Sequence, residues 1–175
     1  CDALDIEQAV PAIAAHVGPV YMRLLRGNVP LVLDEYEYTF ELGKAKRLVD
    51  GNDVLIISSG FMTMRALEVA KALQADNISA AVLHCPTIKP LDESTILSEV
   101  GAKPRLVVVV ENHSVVGGLG EAVSSALLQN GVQPSRFRLA GLPDAFLDAG
   151  ALPTLHDRYG ISTEVLSKRI KGWLA

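Results

Sequence analysis

The chain has 175 residues, of which 49% are hydrophobic and 21% are charged, and its net charge is −4 at pH 7. This length fits one ordinary domain, or one domain with a fragment of another, because domains usually hold about 100–200 residues. The acidic balance supplies no positive field to hold a phosphate backbone, so we expect no nucleic-acid partner. No apolar run approaches the length that spans a bilayer and no leader pattern opens the sequence, so we expect no membrane partner.

Cysteine use indicates a reducing compartment. The sequence contains two cysteines, and Cys85 follows an apolar run, where a buried thiol is expected rather than a disulfide. We therefore predict a soluble, cytoplasmic protein. Because the sequence starts at Cys1 and enters a helical pattern almost at once, we also expect that it was cut from a longer protein.

The first 42 residues are less regular than the rest. Apolar residues at helical spacing predict a helix from Asp5 to His16, which Gly18 ends. The apolar run from Val20 to Leu25 predicts a strand. The stretch from Leu31 to Leu42 mixes acidic and aromatic residues without a clear period, so it predicts a linker or edge segment at a domain boundary.

From Gly43 onward, strands and helices alternate. Apolar runs predict strands at 44–49, 54–58, 78–83, 105–110 and 137–140. Helical periods and capping residues predict helices at 63–75, 93–100, 120–130, 152–159 and 162–173. Strands that are apolar on both faces, separated by helices, predict a parallel sheet covered by helices.

Polar side chains follow the carboxyl ends of three predicted strands. They are Ser58, Ser59, His84, Glu111 and His113. If the first strand of this set lies between the other two, these residues gather around the crevice where such sheets bind ligands. A glutamate and two histidines suit a metal site or an acid–base pair, whereas a polar strand end more often caps a helix or meets a neighbouring domain. We favour the structural or interface role and keep the site as a hypothesis.

A glycine-rich turn leads from the third of these strands into a helix. Gly117, Gly118 and Gly120 leave backbone N–H groups free to hold an anion. Their spacing is neither G-x-G-x-x-G nor a P-loop, so close packing of the helix is the better interpretation. The sequence also lacks G-x-S-x-G and H-E-x-x-H, which argues against hydrolases and metalloproteases.

Five motifs together resemble one family nearly from end to end. They are GPVYMRLLRGNVP at 18–30, FELGKAKRLVDGNDVLIISSG at 40–60, PTIKPLD at 86–92, ENHSVVGGLGEAV at 111–123 and GLPDAFLDAGALPTLHDRYG at 141–160. This order is similar to the C-terminal part of transketolases, in particular those made as two subunits. Single motifs also resemble deoxyxylulose-phosphate synthases and the β subunits of 2-oxoacid dehydrogenases, which stay as alternatives.

The resemblance implies a domain organisation. Residues 1–33 would be a helix–strand remnant of a thiamine pyrimidine-binding domain, 34–42 a linker and 43–175 the transketolase C-terminal domain. That domain would be a three-layer α/β/α sandwich with a mixed, mostly parallel five-stranded sheet, whose first strand is an antiparallel edge.

The resemblance also implies an activity for the parent protein. Transketolases move a two-carbon ketol unit between sugar phosphates, as in the pentose phosphate pathway, with thiamine diphosphate and Mg²⁺. The Gly-Asp-Gly that holds this cofactor is absent here, so we expect no cofactor, metal or catalysis from this chain alone. Its expected partner is the N-terminal, diphosphate-binding part or subunit, in a homo-oligomer such as a dimer. Arg26 resembles the arginine that grips the substrate phosphate.

Two further hypotheses follow from the sequence. A regulatory small-anion module would use the crevice around Ser59, His84, Glu111, His113 and Gly118. Separately, the apolar strand predicted at 20–25 would lack the rest of its sheet, so we expect self-association through that segment.

Overall fold

A computed structural model describes residues 1–25 and 27–175. The strands are β1 (Lys46–Val49), β2 (Val54–Ser58), β3 (Ala80–His84), β4 (Leu106–Ser114) and β5 (Arg136–Leu142). The α-helices are α1 (Ala3–Ala15), α2 (Phe61–Ala75), α3 (Glu93–Gly101), α4 (Leu119–Gln129), α5 (Leu152–Arg158) and α6 (Thr163–Leu174). A short 3₁₀ helix spans Leu33–Tyr36.

The five strands form one mixed sheet in the order β1-β3-β2-β4-β5. β1 pairs antiparallel with β3, and the other pairs are parallel. Every residue of β2 and β3 is buried, as expected for strands covered on both faces. The structure therefore confirms the mixed five-stranded sheet with an antiparallel edge, and it confirms that β2 lies between β3 and β4.

Side-chain alternation along β2 divides the core into two clusters, one on each face of the sheet. Val54 and Ile56 join the cluster with apolar residues of α2 and α6. Leu55 and Ile57 join the cluster with apolar residues of α3 and α4. The three layers of the predicted α/β/α sandwich follow directly from this alternation.

Both edges of the sheet carry exposed cations. Lys46 and Arg47 lie on β1, and Arg136 and Arg138 lie on β5. Arg136 also donates hydrogen bonds to the carbonyl groups of Trp173 and Leu174 at the end of α6. The edge strands are therefore charged where the inner strands are apolar.

The segment before residue 43 differs from its prediction. The strand predicted at 20–25 is wrong in this structure, because this stretch is irregular and Tyr21 and Leu24 are exposed. A strand needs a neighbouring strand that hydrogen-bonds with its backbone N–H and C=O groups. The apolar pattern of a short stretch does not show whether such a neighbour exists. The stretch predicted as a linker contains the 3₁₀ helix with a buried Leu33, and Val32 and Tyr36 pack against the α2/α6 cluster.

Within residues 1–25 and 27–175, none of the helices combines the length and the apolar composition needed to cross a bilayer.

Candidate functional site at the carboxyl end of the sheet

Parallel pairing brings the predicted crevice residues to one end of the sheet. Ser58 lies in register with His84 on β3 and with Val110 on β4. Glu111 follows Val110 directly, so its strand position is adjacent to this row. His84 is 0% exposed and Glu111 is 2% exposed, so both side chains lie inside the protein rather than in an open crevice.

Glu111 caps helix α4 from within the protein. Its Oε2 accepts a hydrogen bond from Leu119 N at 2.8 Å, and its Oε1 accepts one from Gly120 N at 3.0 Å. The carboxylate thus takes the position at the helix N-terminus where an anionic ligand would bind. A Cβ on Gly118 would lie 2.0 Å from Glu111 Oε2, which explains why a residue without a side chain stands there.

Of the predicted crevice residues, Gly118 and Gly120 meet Glu111, whereas His113, Gly117 and Ser59 make other contacts. His113 is exposed, and its Nδ1 lies 3.3 Å from the Ser114 carbonyl oxygen. The pairing of β4 with β5 is irregular between Val110 and Ser114, so strict alternation fails there. Gly117 N donates to Glu121 Oε2 at 2.8 Å, and the Ser59 carbonyl accepts from Met62 N as α2 begins. Both of these contacts are local helix-start contacts.

His84 belongs to a buried polar network that sequence reasoning did not find. Ser58 Oγ lies 2.9 Å from Thr63 Oγ1, which lies 2.7 Å from His84 Nδ1. On the other side of the ring, His84 Nε2 lies 3.4 Å from Asp5 Oδ2. The Tyr38 hydroxyl donates to Asp5 Oδ1 at 2.7 Å, and its ring meets the His84 ring edge-on.

The charges in this network follow from its burial. Complete burial lowers the pKa of His84, so the ring is neutral. Burial acts to raise the pKa of Asp5, but the favourable interactions with His84 and with the Cys1 amino group together outweigh it, so the carboxylate stays ionised. Burial and the nearby Asp5 charge raise the pKa of Tyr38, which remains a donor. The neutral His84 ring carries its proton on Nε2, which faces Asp5, and accepts a hydrogen bond from Thr63 at Nδ1. This tautomer is assigned from the hydrogen-bond network.

This network has the order of a nucleophile, base and carboxylate, but it does not form an open catalytic site. Ser58, Thr63 and His84 are all 0% exposed, so no substrate reaches them in this conformation. The partners are also far apart in the chain, since Tyr38 and Asp5 are separated by 33 residues and Thr63 and His84 by 21. No local spacing signal links such positions, which is why sequence reasoning missed them.

The segment 20–26 contains two arginines, and Arg23 is among the described residues. Arg23 is exposed, and its Nη2 donates to the Asn112 carbonyl at 3.4 Å, a long contact. Arg26, the predicted phosphate grip, lies outside the described residues.

Three comparisons identify the family. The model described as "Transketolase, C-terminal domain" matches residues 43–166. A transketolase family protein of Sinorhizobium fredii is 70% identical over 174 residues, which cover 99% of this chain and 50% of that protein. A transketolase C-terminal section of Methanocaldococcus jannaschii is 38% identical over 170 residues, covering 97% of this chain and 52% of that protein. Synthases of 1-deoxy-D-xylulose 5-phosphate are also among the relatives.

A solved structure agrees in fold and in sequence. A split-gene transketolase, described as an inactive β4 tetramer, superposes with a TM-score of 0.89 and 34% identity, covering 99% of this chain and 56% of that chain. The present chain spans about half the length of the curated relatives reported above. The domain match, the relatives and the shared fold together show that the chain belongs to the transketolase family and carries its C-terminal domain.

Proposed function

We propose that this chain is the C-terminal portion of a thiamine-diphosphate-dependent transketolase, which transfers a two-carbon ketol unit between sugar phosphates. The chain serves assembly and domain support rather than bond making. The observation that carries this role is the filled carboxyl end of the sheet, where Glu111 caps α4 and His84 is buried under Asp5 and Tyr38. Because these side chains are used in contacts within the protein, they are suited to fixing the structure of the domain rather than to binding substrate.

The residues described do not fit the family's cofactor site. Within 1–25 and 27–175, no group of three or more histidine, cysteine, aspartate or glutamate side chains is arranged to hold a metal ion. The glycine-rich start of α4 already receives a carboxylate from Glu111. We therefore assign thiamine diphosphate and Mg²⁺ to the part of the family's architecture that this chain does not span.

The partner we propose is the N-terminal, diphosphate-binding part or subunit, together with further copies of this chain. The name of the Methanocaldococcus relative as a C-terminal section and the split-gene origin of the structural neighbour support this division. The description of that neighbour as a β4 tetramer supports a homo-oligomer, for which the family dimer is the simplest form. A free, buried Cys85 is consistent with a cytoplasmic location.

The domain limits are also a proposal. Residues 1–33 would belong to the pyrimidine-binding domain, 34–42 would connect, and 43–175 would form the C-terminal domain. Arg26 would then contribute a guanidinium to the substrate phosphate when the remaining parts of that domain are present.

Reconstitution tests the proposal. The chain alone and the chain combined with the diphosphate-binding part of its enzyme are assayed with xylulose and ribose phosphates, and in parallel with pyruvate as donor. We expect ketol transfer only in the combined sample. Transfer by residues 1–175 without a second component would contradict the supporting role.

The pyruvate assay separates the related enzyme classes. Turnover of pyruvate instead of xylulose phosphate would favour the alternative of a deoxyxylulose-phosphate synthase or a 2-oxoacid dehydrogenase β subunit. The geometry does not favour the alternative of a small-anion regulator, because Glu111 occupies the helix start that an anion would use. Calorimetric titration with sugar phosphates checks that point, and a saturable heat of binding would restore the regulator.

A further inference from the structure

Helix α1 and the stretch 32–40 form one unit, called here the cap segment. Asp2, which caps the start of α1, and Gln8 within α1 bind the backbone of that stretch from one side of the helix. Asp2 Oδ2 accepts hydrogen bonds from Val32 N at 2.7 Å and Leu33 N at 2.9 Å. Gln8 Oε1 accepts one from Phe40 N at 2.7 Å. The two pieces of the cap segment are thus tied to each other by side chain–backbone bonds.

Asp5 lies between Asp2 and Gln8 on the same side of the helix, but its side chain also faces the sheet. Its carboxylate accepts hydrogen bonds from Tyr38 of the cap segment and from the Cys1 amino group, and it faces His84 Nε2 at the end of β3 at 3.4 Å. The residue is 6% exposed, and His84 is 0% exposed. A buried carboxylate without partners is costly, so the position of α1 is coupled to the ring that it faces.

We propose that Asp5 and His84 form a latch that holds the cap segment over the carboxyl end of the sheet, and that the cap segment opens as a unit while the sheet stays folded. Closed, the cap segment covers His84, whose ring meets Asp5 and Tyr38. Open, it would expose the His84 ring.

Three features of the structure favour separate opening. The cap segment has its own internal ties through Asp2 and Gln8, so it can move without losing them. The two apolar clusters that cover the faces of the sheet are built mainly from residues after 43. The connection between the two combines the partial packing of Val32 and Tyr36 on the α2/α6 cluster with one polar contact of 3.4 Å, which is weaker than the hydrogen bonds on either side of it.

Hydrogen exchange of the 175-residue chain, followed by mass spectrometry, tests the latch. In Asp5→Asn, which keeps the side-chain shape and removes the charge, we expect exchange of α1 and 32–40 to rise by about tenfold or more. Exchange of β2 and β4 should stay at the level of the unaltered chain. Tyr38→Phe, which removes only the hydroxyl, should give the same pattern with about a threefold rise.

A matched control uses an aspartate at the opposite end of the sheet. Asp53 Oδ2 accepts from Ser79 N at 2.7 Å, and Asp53→Asn should leave the exchange of the cap segment unchanged. The double variant Asp5→Asn with His84→Gln should open the cap segment no further than the larger single effect, because the two residues act through one contact.

Three results would overturn the latch. They are unchanged exchange of the cap segment in both Asp5→Asn and Tyr38→Phe, equal acceleration or unfolding of the whole sheet in these variants, and additive effects in the double variant. Activity of the reconstituted enzyme does not enter this test, so its failure is separate from failure of the proposed function.

Discussion

Two apolar runs, the stretch 20–25 before residue 43 and β2 in the domain after it, reach opposite outcomes. β2 is a run of five residues that are all buried, whereas Tyr21 is 88% exposed and Leu24 is 58% exposed in a run that looks equally apolar in sequence. The difference is the presence of neighbours, since β3 and β4 pair with β2 on both sides. Apolar composition therefore predicts which segment seeks burial, while the surrounding chain decides whether it is buried.

The largest expected effect lies at a close backbone contact of the domain. A Cβ on Gly51 would lie 2.2 Å from the backbone of Ala80 and Ala81, which cannot retreat without breaking β3. We expect Gly51→Ala to lower the free energy of unfolding by about 4 kcal/mol or more, measured by urea denaturation. Gly101→Ala is the control, because no atom lies within 4 Å of its added methyl group, and it should be neutral or slightly stabilising. Equal stability of both variants would contradict the contact.

Truncation of apolar side chains compares the two regions directly. Ile56→Ala removes a fully buried side chain and should cost about 2–5 kcal/mol of unfolding free energy. Leu24→Ala removes an exposed one and should change the same quantity by less than about 0.5 kcal/mol in the isolated chain. In the reconstituted enzyme, Leu24→Ala should weaken assembly, measured by analytical ultracentrifugation. A large cost of Leu24→Ala in the isolated chain would mean that self-association already covers this segment.

Acid should destabilise the domain through its buried histidines. His156 is 2% exposed, and burial lowers its pKa, with the charge of Arg65 acting in the same direction. Because the pKa is depressed in the folded state, the stabilisation is complete above the unfolded value of about 6.5 and is lost as the pH falls.

Chemical denaturation at pH 7 and pH 5 measures this loss. The unfolding free energy should fall by at most about 1.4 kcal/mol per pH unit for each such histidine, and His156→Phe should reduce the slope. An unchanged slope in His156→Phe would show that this ring does not stay neutral in the folded protein.

A smaller effect is expected where Glu111 caps α4. Glu111→Gln keeps one acceptor but loses the negative charge at the helix N-terminus, so it should cost about 1–2 kcal/mol. Glu121→Gln, at an exposed bond to Gly117 N, should cost only a few tenths, or about 0.3 kcal/mol. Thermal denaturation of both variants ranks them, and equal shifts would argue against a special role for Glu111.

Much of the domain could be predicted from sequence because its signals are local. The buried run that became β2 was predicted with its observed limits, and the other strands and helices after residue 43 differ by a few residues at their ends. The central place of β2 followed from the usual doubly wound arrangement and the antiparallel edge from the family resemblance, and both are confirmed. Contacts between distant segments could not be predicted in this way.

The candidate site shows this limit clearly. Glu111 was identified as a notable strand-end residue, but only the structure reveals its bonds to Leu119 and Gly120. His84 was identified as well, but it faces Asp5 of helix α1. Neither the sequence around His84 nor the sequence of α1 indicates that these two segments meet. The predicted strand at 20–25 failed for the same reason, since pairing depends on chain elsewhere.

The cations on β1 and β5 restrict how copies of the protein can meet. If two copies approached edge to edge, Lys46 on β1, or Arg136 and Arg138 on β5, would face like charges on the other copy. Repulsion between these cations opposes the pairing of edge strands from different copies into one continuous sheet. Association of copies through the helical faces or the loops avoids this repulsion.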